Sequence, residues 1–411
     1  MATHPDPRLS ANLWKLQAIR GLFWMHFFSA VLVPFYTDWG GISLAQVLFL
    51  NAWFFLCNFL FEVPTGTVAD FLGRKISLAL GSLVGIGAAL LYVSKPSFPV
   101  FMAAEVVFAI AYTLHSGADE ALAYDTLKAL GQPERAAHVL GRMEAFKLGG
   151  IITATLLGGF IASGFGLSAP MRAYVFPAAL AFLVSLTLRE PPGWAQEHRT
   201  RASYARILAE GGRYFLGHKV VRLLAFELAL TNALAWGLIW LFQPLLARSG
   251  VPLRFFGVVH ALTCLGQILF LGQATRIERW LGSTRRLLLG ATLLAGGSFL
   301  LLGATRWMPL VIAGIILGFT FSLPRIPLFS AYINHHIPSE RRATVLSLVS
   351  MVRTLAIVVF NPLIGLLAEW SLSWTMAILC TGLIALAAGS RIEERHLVTV
   401  PEGPGGGGHS G

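Results

Sequence analysis

The chain has 411 residues, of which 55% are hydrophobic and only 12% are charged, and its formal net charge is +11. With a mean hydropathy of +0.68, it is too apolar for a soluble globular protein of this length. The positive charge does not indicate a nucleic-acid partner, because the Lys and Arg residues are distributed as in a membrane protein.

Twelve apolar blocks follow one another, each of about 18 to 27 residues, the length a helix needs to cross roughly 30 Å of hydrocarbon. They predict an all-α membrane protein with twelve transmembrane helices, called spans 1 to 12. The blocks are 14–36, 44–68, 76–94, 99–124, 146–164, 170–188, 220–246, 253–275, 286–304, 308–333, 343–367 and 372–390.

Span 2 carries three polar residues on one helical face and ends in a short charged hairpin. Asn51, Asn58 and Glu62 are spaced at i, i+7 and i+11. The hairpin Ala69–Lys75 then joins span 2 to the charge-free span 3. A polar stripe of this kind is expected either to border a water-filled cavity or to form a hydrogen-bond network between helices.

Span 4 shows a second stripe, formed by Glu105, Tyr112, Ser116 and Asp119 at i, i+7, i+11 and i+14. This spacing places all four on one face of a continuous helix. The same two interpretations apply to it, a cavity wall or a structural network.

The longest polar interval, 189–219, separates two sets of six spans. Its pattern of Tyr204, Ile207, Leu208 and Phe215 among arginines predicts an amphipathic helix on the membrane surface. The predicted domains are a six-helix bundle at 1–188, this linker at 189–219, a second bundle at 220–390 and a flexible tail at 391–411. A degenerate copy of the hairpin at 276–286 makes the bundles pseudo-symmetric repeats, with a site at their interface.

The basic residues are distributed unevenly between the two sides of the predicted bundle. With both termini in the cytoplasm, 24 of the 31 Lys and Arg residues fall in cytoplasmic segments or at the cytoplasmic ends of spans. This bias follows the positive-inside rule and predicts a protein of the cytoplasmic (inner) membrane in contact with anionic lipid.

Carboxylates within spans are candidates for proton coupling, since an ionisable group in a membrane interior is costly and marks a functional site. Glu62, Glu105 and Glu227 lie deep enough to qualify. Arg325, between Pro324 and Pro327, and Arg353 each need an anion, either an acid on a neighbouring helix or the substrate itself. The complete set of substrate-cavity candidates is Asn58, Tyr112, His115, Asp119, His260, Arg325, Arg353 and Asn361.

The hairpin resembles the signature of the major facilitator superfamily, Gly-x-x-x-Asp-x-x-Gly-Arg-Lys/Arg. This chain reads Gly66-Thr-Val-Ala-Asp70-Phe-Leu-Gly73-Arg74-Lys75, a full match. The resemblance implies two six-helix bundles and a conformational latch in which Asp70 faces the start of span 11 and Arg74 pairs with Asp125 at the end of span 4. Gly66 is expected to allow close helix approach, and Gly73 a tight turn.

Within that family, the chain is nearest to drug/proton antiporter-like bacterial members, with two departures. Thr113 stands where many antiporters carry an arginine, and the glycine motif of span 5, Gly150–Gly159, lacks its proline.

The leading hypothesis is a secondary transporter that works by alternating access and expels amphipathic small molecules by proton-coupled antiport. The alternative is a proton-coupled transporter of an organic anion. A channel or lipid-moving protein is a weaker hypothesis, and no catalytic constellation indicates an enzyme. The expected partners are a small-molecule substrate, protons and membrane lipid, with no nucleic acid, cofactor or metal, and the protein is expected to be a monomer.

Overall fold

The computed structural model describes residues 7–192, 212–337 and 342–397, apart from the side chains of 7–8, 325–327, 331, 335, 343 and 395. Within these residues, the regular secondary structure consists of helices joined by turns and short loops. Ten helices are long and apolar enough to cross a membrane on their own, and an eleventh span consists of two helical segments bent by 65°. The remaining span is the shorter apolar helix Met308–Ser322, which is followed by Arg325–His335. The twelve predicted spans are therefore all present as helical segments.

The helices of the N-terminal half are Pro7–Phe23, Leu44–Leu72, Arg74–Tyr92, Phe98–His115 with Ala118–Ala129, Ala136–Phe165, and Ala169–Ala173 with Val175–Leu186. Those of the C-terminal half are Lys219–Arg248, Phe256–Leu281, Thr284–Ala304, Met308–Ser322 with Arg325–His335, Arg342–Trp370 and Leu372–Gly389. Most of the predicted linker lies outside the described residues, including Tyr204, Ile207 and Leu208.

Span 1 is broken after Phe23 and continues through the 3-10 turn Phe27–Ala30 into Leu32–Trp39. The break leaves backbone groups without their helical partners. Gln243 of span 7, which is 2% exposed, satisfies two of them. Its Oε1 accepts from the Val33 N–H at 2.8 Å, and its Nε2 donates to the Ser29 carbonyl at 2.9 Å. One side chain of the C-terminal half thus completes the hydrogen bonding of a helix in the N-terminal half.

Span 4 is also broken, at Gly117, whose φ of +76° ends one helix and begins the next. The prediction of one continuous helix through Asp119 was therefore wrong. Glycine adopts this left-handed conformation without the steric penalty that a Cβ would impose. The break separates Asp119 from the helix that carries Glu105 and Tyr112, although Tyr112, Ser116 and Asp119 still line one small pocket.

The two ends of the bundle differ in how the halves meet. We call the end with the turns at Gly73 and Gly282 the basic end, and the end with those at Gly41 and Gly250 the opposite end. Near the opposite end, one buried core contains residues of both halves, including Tyr36, Leu48, Leu241 and Phe256. Near the basic end, each half has its own core, around Leu16 and Leu122 or around Leu224 and Phe329.

Close helix contacts hold the halves together at the opposite end. A Cβ on Gly257 of span 8 would lie 1.9 Å from the Thr155 carbonyl oxygen of span 5, and one on Gly365 of span 11 would lie 2.9 Å from Ala45 Cα of span 2. Only glycine permits such backbone approach, which is how transmembrane helices commonly pack.

Candidate functional site

A cavity of about 440 Å³ lies between the halves on the basic-end side of these contacts. Its volume is in the range of small-molecule sites. Spans 2, 4 and 11 form its wall, which combines aromatic and aliphatic side chains with at least as many polar ones. The residues of the wall used below are Phe55, Asn58, Glu62, Tyr112, Ser350, Met351 and Arg353.

Arg353 provides the positive charge of this cavity. Its side chain is half-buried, and among the described residues no carboxylate lies within 4.0 Å of it. A guanidinium remains protonated at any physiological pH, so the cavity presents a fixed cation. Glu62 faces the same cavity from span 2 and is exposed.

The polar face of span 2 divides between the cavity and the contact of the two halves. Asn58 and Glu62 line the cavity. Asn51 is buried instead, and its Oδ1 accepts from Asn361 Nδ2 at 2.6 Å and from Trp236 Nε1 at 3.1 Å, both in the C-terminal half. Asn361, predicted as a cavity residue, therefore contributes to the contact between the halves.

A smaller pocket of about 120 Å³ adjoins the cavity and shares Tyr112 and Ser116 with it. His115 and Asp119, two predicted cavity residues, line this pocket. His115 is stacked on Phe23 and lies 3.0 Å from Ser82 Oγ, so its ring is held by packing and one hydrogen bond.

A network of ionic groups surrounds Arg20 at the same pocket. The guanidinium lies 3.0 Å from Asp119, 2.9 Å from Glu120 and 3.0 Å from Glu144. Lys147 extends the network, with its Nζ 2.8 Å from Glu144 and 4.7 Å from the centre of the Trp24 ring. The arginine of span 1 is thereby neutralised by carboxylates of spans 4 and 5.

Sequence reasoning missed Glu144, since it placed the start of span 5 at 146, and it did not single out Lys147, which lies just inside that span. The helix begins at Ala136, ten residues earlier. Glu144 and Lys147 are spaced at i, i+3, and residues at this spacing meet on one helix face. This spacing is the signal in the sequence that the helix of span 5 begins with charged turns.

Glu105 lies away from the central cavity, in a separate pocket nearer the opposite end. It is 6% exposed and accepts a hydrogen bond from Tyr36 Oη at 2.7 Å. Its separation from Tyr112 and Asp119 corrects the prediction that span 4 presents all its polar residues to one cavity.

Two further candidates of the C-terminal half also lie outside the cavity. Glu227 Oε2 accepts from Ser390 Oγ at 2.6 Å, in a small pocket between spans 7, 9 and 12. His260 is packed against Phe242 and Phe319, with ring centroids 5.3 and 6.2 Å apart. The side chain of Arg325 lies outside the described part of the chain.

The predicted latch is found in part. Arg74 forms an ion pair with Asp125, and Gly73 makes the turn with φ +100°. Asp70 is exposed and has no ion pair with another described residue, and residues 338–341, at its expected partner helix, lie outside the description. The close approach expected at Gly66 is absent, since a Cβ there would meet nothing within 4 Å. The reason is that the halves are separated at this end.

Each half ends with a carboxylate that caps a helix at the basic end. Glu190, after span 6, accepts from the Lys75 N–H at 2.7 Å. Glu394, after span 12, accepts from the N–H groups of Thr284 and Arg285 at 2.7 and 3.0 Å. Burial raises the pKa of Glu190 despite the Lys75 bond. Burial opposes the shift at Glu394, but hydrogen bonds from Ser283, Arg285 and Thr284 lower its pKa.

Comparison with known proteins places this arrangement in a family. The family model described as Major Facilitator Superfamily matches residues 13–229 and again 225–402. None of the curated proteins matches the chain by sequence.

Several solved structures share the fold. The nucleoside transporter NupG is 14% identical, with a TM-score of 0.77, and the match covers 92% of this chain and 97% of that one. A D-xylose-proton symporter is 14% identical, with a TM-score of 0.72 over 94% and 99%. A bacterial homolog of the human lysosomal transporter Spinster, in an inward-facing conformation, is 19% identical, with a TM-score of 0.68 over 94% and 95%.

Proposed function

The chain belongs to the major facilitator superfamily, and we propose on that premise that it is a proton-coupled secondary transporter of amphipathic solutes that carry an anionic group. The observation that carries this proposal is Arg353 in the central cavity. Its guanidinium has no carboxylate partner among the described residues, while the surrounding wall offers apolar side chains such as Phe55 and Met351 beside uncharged polar ones. This choice corresponds to the alternative hypothesis of the sequence analysis.

The argument concerns what happens to Arg353 as the transporter changes state. In the present conformation the cavity lies beyond the contacts between the halves, where water can hydrate the guanidinium. Closure of the basic end removes that water, and an unpaired buried charge is costly. The anionic group of a bound solute pairs with the guanidinium and offsets this cost. Closure is therefore favoured when the cavity holds a solute.

Apolar side chains give the site its second property. Phe55 and Met351 stand beside the polar groups Asn58 and Ser350 in the same wall. This combination suits a solute with an apolar body and one charged group, since a few placed polar groups fix its orientation.

Proton coupling is assigned to Glu62. It is the carboxylate that shares the cavity with Arg353, whereas Glu105 and Glu227 lie in other pockets. The positive-inside distribution supports an orientation with the basic end and both termini in the cytoplasm, and with it a location in the inner membrane. The present conformation is then inward-open. Outward transport by antiport and a monomeric state stay predictions, and efflux gains no support from the comparisons.

A ligand panel tests the anion site. Amphipathic carboxylates and their uncharged amide analogues are compared by the thermal stabilisation they give to the purified protein. We expect carboxylates to stabilise the native chain and to lose that effect in Arg353→Gln, with partial recovery in Arg353→Lys. Leu355→Val is the matched control, since Leu355 lies on the same span but outside the cavity wall, and this variant should retain binding. Stabilisation of Arg353→Gln by carboxylates to the same extent as the native chain would show that Arg353 does not bind the anion.

A transport assay tests proton coupling. Proteoliposomes loaded at one pH and diluted into another should accumulate the solute, and a protonophore should abolish accumulation. In Glu62→Gln we expect exchange without accumulation, because binding remains while the proton carrier is missing. Accumulation that survives in Glu62→Gln contradicts this assignment.

A further inference from the structure

The pocket around Glu105 is chemically different from the central cavity. It has a volume of about 130 Å³ and is enclosed by six aromatic rings, one of them from the C-terminal half. We call it the Glu105 cage. The rings are those of Phe28, Tyr36, Phe54, Tyr92, Phe108 and Trp240.

The carboxylate of Glu105 is held in place by a phenol. Tyr36 donates to its Oε1 at 2.7 Å, and Tyr92 lines the same pocket. No Lys, Arg or His among the described residues forms an ion pair with it. His26 is stacked on Phe28 with ring centroids 5.0 Å apart and is not part of the pocket lining.

We propose that the Glu105 cage binds the ammonium head group of an organic cation. A carboxylate supplies the counter-charge, and the faces of surrounding aromatic rings attract a cation through their quadrupoles. Such cages are the usual protein solution for quaternary ammonium groups. The size of the Glu105 cage is also suitable, because its volume of about 130 Å³ is close to that of a cavity of about 150 Å³ that accommodates a benzene molecule.

Trp240 closes the cage from the C-terminal half and offers the ligand a second binding group. It belongs to span 7, whereas the other five rings belong to the N-terminal half. Its Nε1 is buried with no hydrogen-bond partner in the described structure, and an unpaired buried donor is costly. A ligand hydroxyl or carbonyl next to the ammonium group satisfies it.

Because Trp240 crosses from one half to the other, the cage opens when the halves separate at the opposite end. The cation then enters from that side, while the central cavity is closed. This access route rests on the alternating-access function proposed above, but binding itself does not require the anion site at Arg353.

Choline and 3,3-dimethyl-1-butanol are the probes that test the cage, since the second is the uncharged isostere of the first. Both are titrated into the full-length protein while thermal stability and tryptophan fluorescence are recorded. We expect choline to stabilise the protein and to change the fluorescence, and the isostere to do neither. Glu105→Gln and Trp240→Leu should each weaken choline binding about tenfold or more.

Arg353→Gln distinguishes this proposal from the proposed function. It should bind choline as the native chain does, even though it loses anionic solutes. Tyr36→Phe keeps the ring and removes one hydroxyl, so it provides a milder variant if Glu105→Gln fails to fold. Equal binding of choline and its isostere, or unchanged choline binding in both Trp240→Leu and Tyr36→Phe, overturns the cage.

Discussion

The two halves of the molecule treat a buried arginine in opposite ways. Arg20, in the N-terminal half, lies within 3.0 Å of three carboxylates that belong to the same half. Arg353, in the C-terminal half, lines the central cavity without such a partner in the described structure. The first arginine has its charge neutralised by its own half in this conformation, whereas the second has its charge available. An interior arginine therefore indicates a solute site only when its own half leaves it unpaired.

Replacing Arg20 should have the largest effect on stability. In Arg20→Gln, Asp119 remains 7% exposed beside Glu120 and Glu144 without its counter-charge. Breaking a buried ion pair from one side typically costs about 3 kcal/mol or more. We expect a loss of that size in the free energy of unfolding, measured by denaturant or thermal unfolding in detergent. Arg20→Gln combined with Asp119→Asn should recover part of it, and no recovery would argue against a paired network.

Removing Lys147 should have a smaller effect. It contacts the half-exposed Glu144 at 2.8 Å and the Trp24 ring, and each such contact contributes little on its own. In Lys147→Gln we expect a loss of about 1 kcal/mol, which decreases at high salt because the ion pair is screened. A loss as large as that of Arg20→Gln would show that the network depends equally on both cations.

The two helix-capping carboxylates, Glu190 and Glu394, should make the stability of the two halves depend on pH in different ways. The pKa of Glu394 is lowered in the folded state, so its contribution to stability is present above its unfolded pKa and disappears as the pH falls through the folded pKa. Between pH 6 and about pH 3 the native chain should lose thermal stability, and Glu394→Gln should lose less of it.

Glu190 is the matched control for this effect. Its pKa is raised, mainly by burial, so protonation is easier in the folded state and its contribution has the opposite sign. Glu190→Gln should therefore make the acid loss steeper rather than shallower. A shallower profile in both variants contradicts the difference between the two caps.

Replacing Arg353 should have the smallest effect on stability. It has no ion pair to lose among the described residues, and its removal leaves no buried carboxylate unpaired. In Arg353→Gln the free energy of unfolding should change by less than about 0.5 kcal/mol, although solute binding is lost. A large destabilisation would mean that Arg353 is structural, as Arg20 is.

Sequence patterns predicted the architecture well but not the positions of breaks. Hydropathy and length identify twelve spans because the membrane requires them. The break at Gly117 was missed, since the polar residues around it fit an unbroken helical stripe. The early start of span 5 was missed because its first turns are charged, although they are part of the same helix.

The candidate site was predicted only as a set of residues. Periodicity places Glu227 on a face of span 7, but it does not say which neighbour that face meets, and the neighbour is Ser390 after span 12. Likewise, Asn361 and Asn51 are 310 residues apart, and only the packed structure shows that they bind each other. Partner choice depends on tertiary packing, which a single sequence does not contain.

The hydrogen bonds of Gln243 imply that water is needed when the two halves move apart. Its amide occupies the Val33 N–H and the Ser29 carbonyl at the kink of the first helix. When the two bundles part at that end, both backbone groups lose their partner inside the membrane, where no lipid atom can replace it. Solvent must reach the kink as the amide leaves, so wetting of a single helical break accompanies exposure of the other side of the membrane.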